Sequence, residues 1–158
     1  MPVVKSFGYG LDARHTALAL SAAGVEHFCV AYADEGVRLR ELGIDTPILV
    51  QNVVPEDATK CATHGLSCAL TSATQVGVFS AAAAATQRAV RVHVKVDTGM
   101  GRAGALPDEA VEIAKAAAND PWLSVDGAMT HFASADDPAA DDATRVQIET
   151  FRRVLRRL

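Results

Sequence analysis

Short β-branched runs alternate with alanine- and leucine-rich windows along the 158 residues of this chain. The runs predict strands near Val3–Lys5, His27–Ala31, Ile48–Val50, Ser67–Leu70, Val90–Val96 and Leu123–Met129. The windows predict helices near Asp12–Ala23, Glu35–Leu42, Pro55–Thr63, Ser72–Thr86 and Pro107–Ala118. A last helix is expected from about Ala139 to the end, where Ile148, Phe151, Val154, Leu155 and Leu158 keep the spacing of one buried face. Gly24, Gly43 and Gly65 each follow a helical window, as a stop residue at the C′ position does. Pro55 and Pro107 each open one, where a missing N–H costs nothing. Strict β–α alternation with short connections implies a parallel sheet.

The polar residues choose between two parallel architectures. They fall at the ends of most predicted strands: Lys5, Gln51-Asn52, Thr71-Ser72, Lys95 with Asp97, and Thr130-His131. A barrel gathers such ends into one ring around one pocket, whereas an open doubly wound sheet concentrates its ligand groups at a single switch point. The expected fold is therefore α/β, a parallel (β/α)8 TIM-type barrel with about six of eight units present. Six units do not close an eight-stranded barrel, so the chain reads as a fragment of a larger protein that self-associates and lacks activity when expressed alone.

Composition narrows the class. At 49% hydrophobic and 22% charged residues the chain can fill a core. A net charge of −4 supplies no general attraction for nucleic acid or for an anionic membrane. Arg145, Arg152, Arg153, Arg156 and Arg157 alternate with apolar residues at helical spacing and read as a solvated helix face. Cys29, Cys61 and Cys68 lack metal spacing and are odd in number, which favours reduced, half-buried thiols in the cytoplasm. No metal is implied. No signal-peptide pattern opens the sequence, and no apolar run approaches the roughly 18 residues of a membrane span.

The richest segment runs from Val94 to Gly104, where Lys95, Asp97 and Arg102 sit among three glycines. Charges converging on a turn at a strand end suit an anionic ligand; alternatively, the three pair with one another on a surface loop. Gly99-Met100-Gly101-Arg102-Ala103-Gly104 also spells the dinucleotide pattern G-x-G-x-x-G. In that motif the helix begins within the glycines, whereas Leu106-Pro107-Asp108 delays it here, and the preceding strand is broken by His93 and Lys95. Lys5 is the candidate nucleophile, since a lysine in an apolar-walled pocket has a lowered pKa and can condense with a carbonyl; the alternative is a lysine reaching solvent. Tyr9 either donates its phenol to a phosphate or packs in the core. His131 is either a site imidazole or a structural histidine.

These segments together resemble the alanine racemase family. Val4-Lys5 with Tyr9-Gly10, Asp97-Thr98-Gly99-Met100-Gly101-Arg102 with Gly104, and Thr130-His131-Phe132-Ala133-Ser134-Ala135-Asp136 look like its three signature segments, in its order. Ala31 to Gly36, Leu39-Arg40, Gly43-Ile44, Pro47 to Val50, and Gln147 with Phe151 extend the likeness over essentially the whole chain. The first signature departs from the family at Leu11, where a histidine is usual. The resemblance implies a pyridoxal 5′-phosphate-dependent homodimer that interconverts L- and D-alanine by a two-base mechanism, supplying D-alanine for peptidoglycan. It implies that residues 1–158 are part of the N-terminal barrel domain, without the C-terminal β domain. It further implies that Lys5 carries the cofactor and acts as one base, and that Tyr9 holds its phosphate. Arg102 would contact the cofactor's phenolic oxygen and the substrate carboxylate. Lys95, at a position often carbamylated, and Asp97 would support Arg102, and His131 would hold an arginine that contacts the pyridine nitrogen. A non-catalytic barrel remnant used for binding and an NAD-type domain are the rival expectations.

Overall fold

A computed structural model describes residues 1–158. Five strands, β1 (Phe28–Val30), β2 (Ile48–Val50), β3 (Ser67–Leu70), β4 (Val90–Val96) and β5 (Leu123–Thr130), form one sheet in the order β1-β2-β3-β4-β5. Every pairing is parallel. The order never reverses, so there is no switch point, and the sheet is the arc of a TIM-type barrel.

Side-chain alternation shows which face the helices cover. In β4, Val90, Val92, Val94 and Val96 enter a core cluster of 33 buried residues, while Arg91, His93 and Lys95 fall between them. On the opposite face only Cys29, Leu49 and Ala69 form a buried cluster, with Val3 and Met129 against it. One face carries the helices; the other is the concave interior of the arc. The ladder between β4 and β5 shifts register between Val92 and His93, leaving Asp126 unpaired, so the strand bends there.

Seven helical elements accompany the strands: α1 (Lys5–Tyr9), α2 (Ala13–Ala22), α3 (Ala33–Glu41), α4 (Ala58–His64), α5 (Ala73–Thr86), α6 (Pro107–Ala118) and α7 (Asp141–Leu155). Short 3-10 turns at Pro55–Asp57 and Pro138–Ala140 precede α4 and α7. Gly24, Gly43 and Gly65 follow helices with φ of 86°, 82° and 59°, as their positions predict.

Three expectations need correction. The strand expected at Val3–Lys5 is reduced to a single parallel bridge between Val3 and Cys29, because the chain leaves the sheet at Lys5. The face expected on the last helix is narrower. Val154 and Gln147 are buried and Phe151 is half-buried, but Leu155 and Leu158 are exposed. The three cysteines are fully buried rather than half-buried, and all are free. No helix is long and apolar enough to cross a membrane.

Candidate active site

The connections after the parallel strands lie at one rim of the arc, and the candidate residues are carried there. Lys5 is half-buried at the first of them. Val4 is tied to the sheet through its N–H to the Cys29 carbonyl at 2.8 Å. Beyond Lys5 the backbone makes a left-handed turn: Ser6, Phe7, Gly8 and Tyr9 have φ of 54°, 58°, 67° and 55°. A non-glycine residue in that region costs about 1–2 kcal/mol. Gly8 cannot be replaced cheaply, since a Cβ there would lie 2.8 Å from Thr16 Oγ1. Glu35 anchors the turn: its Oε1 accepts from Ser6 N–H at 2.7 Å, and its Oε2 from Ala31 and Tyr32 N–H at 2.8 and 3.1 Å. Strained backbone held from outside is a feature of functional sites, and here it adjoins the candidate nucleophile. Tyr9 is 62% exposed, which removes the core-packing alternative.

Lys95, Asp97 and Arg102 do not pair with one another. None of the ion pairs in the chain includes Lys5, Lys95 or Arg102. Lys95 is only 4% exposed, and its Nζ donates to the Gln51 carbonyl and to Asn52 Oδ1, both at 3.2 Å. Burial pushes its pKa down, and the nearby Arg102 cation pushes in the same direction. Asp97 Oδ1 accepts from Gly99 and Gly101 N–H at 2.9 and 3.1 Å, and these backbone bonds hold its pKa below the ordinary carboxylate value. The loop then returns to β4, with Asp97 N–H to the Ala105 carbonyl and Ala105 N–H to the Lys95 carbonyl, each 2.8 Å. Gly104 permits that closure: a Cβ would stand 2.5 Å from Asp97 N and 2.8 Å from Val96 C. The glycine run therefore closes a loop and does not open a helix, which starts only at Pro107.

Lys5, Lys95 and the exposed Arg102 line one cavity of about 430 Å³, together with Tyr32, Gln51 and Asn52. No carboxylate lines it. Glu35 and Asp97, acids on the adjoining connections, are occupied by backbone N–H groups. His131 is exposed and outside that lining, but it shares the rim. Its pKa is lowered first by partial burial and then by Arg102, Lys95 and Lys5. Tyr9 also lies outside the lining. A concave surface with three basic side chains, two of them primary amines, is fitted to an anionic ligand bearing a carbonyl.

The family profile described as "Alanine racemase, N-terminal domain" matches residues 1–158. The chain belongs to this family. Its sequence is 41% identical over 138 residues to an alanine racemase of Geobacter sulfurreducens, covering 87% of the chain and 36% of that protein. It is 40% identical over 159 residues to an alanine racemase of Symbiobacterium thermophilum, covering 100% of the chain and 42% of that protein. Its fold superposes on the Clostridium difficile alanine racemase solved with cycloserine at a TM-score of 0.94, with 28% identity, covering 99% of this chain and 43% of that one. The chain thus spans about two fifths of the relatives it matches.

Sequence reasoning placed Lys5, Lys95, Arg102 and His131 at the rim but gave Glu35 and Asn52 no task. The signal for Glu35 was present: an acid three residues after Tyr32, at the start of a helix, is placed to accept the orphan N–H groups there. Nothing local marks Asn52 as the acceptor for a lysine 43 residues away.

Proposed function

We propose that this chain provides the cofactor-bearing barrel of a pyridoxal 5′-phosphate-dependent alanine racemase. The observation that carries the reading is the cavity in which Lys5, Lys95 and Arg102 meet with no carboxylate among them. That donor set fits an aldehyde cofactor with an anionic phosphate and a substrate with a carboxylate. When bound, the cofactor supplies the electron sink that makes the α-proton of an amino acid removable.

The chain's own residues then divide the remaining work. Lys5 would hold the cofactor through its amine and would move the α-proton on one face as one of two bases. Arg102 presents a planar guanidinium to the substrate carboxylate and to the cofactor's phenolic oxygen. Lys95 and Asp97 support it: Asp97 shapes the loop, and Lys95 is pushed to a lower pKa first by burial and then by the Arg102 cation. The family resemblance makes Lys95 the position of a carbamate: its amine would add carbon dioxide with loss of a proton and stand as an anion beside Arg102. Tyr9 serves the cofactor phosphate and His131 orients an arginine toward the pyridine nitrogen; both roles rest on the family resemblance. Homodimerisation, a cytoplasmic location and a supply of D-alanine for peptidoglycan follow from the same reading.

Borohydride reduction of the full-length protein loaded with pyridoxal phosphate, followed by peptide mapping, is expected to leave the pyridoxyl group on Lys5. Label on Lys95 would overturn the assignment, and no label on any lysine of this chain would favour the barrel remnant.

A further inference from the structure

Gln147 occupies a position on α7 where an apolar residue is expected. It lies seven residues before the buried Val154 on the same helix face and is itself only 5% exposed. A buried amide is costly unless its hydrogen bonds are made. Here they all are. Gln147 Oε1 accepts from Ala133 N–H at 3.0 Å. Its Nε2 donates to Thr98 Oγ1 at 3.3 Å and to the His131 carbonyl at 3.4 Å.

The chain of bonds runs in one direction. Thr130 donates its only hydroxyl proton to the Val96 carbonyl at 2.9 Å. The contact of 2.8 Å between Thr98 Oγ1 and Thr130 Oγ1 must therefore be donated by Thr98. Thr98 in turn accepts from Gln147. The backbone of Gly99 lies against the same amide, since a Cβ there would be 3.6 Å from Gln147 Cγ. One side chain thus joins the loop after β4, which carries Arg102, to the loop after β5, which carries His131.

We propose that Gln147 is a positioning residue that fixes the spacing between the Arg102 loop and the His131 loop. The proposal rests on the racemase reading above, and it assigns Gln147 no contact with substrate or cofactor. Its mechanism is geometric. An apolar side chain would fill the same volume on α7 but would hold neither loop, and fully satisfied buried networks set a unique arrangement. In the racemase reading Arg102 meets the bound ligand directly and His131 does so through the arginine it orients, so the separation of their loops matters to the reaction even though Gln147 touches neither of their side chains.

Gln147→Met removes every bond while keeping size and adding no charge. In the full-length protein it is expected to lower kcat about tenfold while changing KM less than about threefold, the pattern of an interaction that matters in the transition state. A second readout needs no turnover. His131 lies below its ordinary pKa first because it is partly buried and then because Arg102, Lys95 and Lys5 are close. Releasing its loop should move its titration upward, toward the ordinary value, in an NMR titration of the imidazole without cofactor. If Gln147→Met does not fold, Thr98→Val breaks only the relay between Gln147 and Thr130 and should shift kcat and His131 in the same directions. A variant that melts lower but keeps the wild-type kcat and His131 titration would overturn the proposal and leave Gln147 as packing. Failure of the racemase reading is separable, because it would show as missing pyridoxyl label on Lys5 in the unmutated protein.

Discussion

Asp97 stands between two cations in the sequence, yet its carboxylate accepts from the backbone of its own loop. Two glycine N–H groups take the charge, and Arg102 is left free to meet a ligand. The sequence made the charged trio visible but left open whether its members paired. That choice depends on the loop's return to Ala105, which brings the Gly99 and Gly101 amides within reach. A pH dependence follows, with a definite sign. The folded pKa of Asp97 is depressed. Its contribution to stability is therefore present above the unfolded value of about 3.9 and is lost as pH falls through the lower folded value. Asp97→Asn keeps an oxygen acceptor but not the charge. The variant should be less stable than wild type near neutrality, and the gap in urea midpoints should close as pH drops below the carboxylate range. A gap of constant size down to pH of about 3 would show that the charge contributes nothing to the loop.

At the scale of elements, the rim is built with a repeated device: a side chain three residues into a helix accepts the orphan N–H at its start. Glu35 does this for Tyr32, Asp57 for Val54, Gln75 for Ser72 and Glu109 for Leu106. The helix starts near Pro55 and Pro107 were readable from proline at the first helical position, whereas the accepting side chains three residues on were not read. The left-handed turn at Ser6–Tyr9 was not readable. Ser6, Phe7 and Tyr9 do not prefer that conformation, and the turn is held by Glu35, 29 residues on from Ser6. The bond with Val3 likewise needed a neighbour, Cys29, and gave a bridge where a strand was expected. Glu35→Ala should expose both roles. Three backbone N–H groups lose a charged acceptor, so a loss of about 1.5–3 kcal/mol is expected. Protection of the Ser6 amide against hydrogen exchange should vanish, while Glu35→Gln, which retains an acceptor, should lose less. Unchanged exchange at Ser6 would mean that the turn beside Lys5 is held by its own residues.

Over the whole molecule, the sheet is covered unevenly, and its behaviour in solution should reflect that. The helices bury one face in a cluster of 33 residues, whereas the concave face buries only Cys29, Leu49 and Ala69. Arg91, His93, Lys95 and Asp126 share that concave side. Burial lowers the pKa of His93, and its Nδ1 is buried with no hydrogen-bond partner. Barrel interiors are closed by side chains from all their strands, and this arc supplies one part of such an interior. Its far edge is β5, an eight-residue strand paired on one side only, with β4. Unpaired N–H and C=O groups along such an edge are a template for another chain. The near edge is little better protected, since only Pro2, Val3 and Val4 lie against β1. Residues 1–158 expressed by themselves should therefore self-associate through the β5 edge, with an apparent mass in sedimentation that grows with concentration. Replacing Ala128, whose position pairs with Val94 on the inner side of that edge, by proline would remove one free N–H and should weaken the association. A monodisperse monomer that melts cooperatively would show that the concave face and the open edge are stable in water.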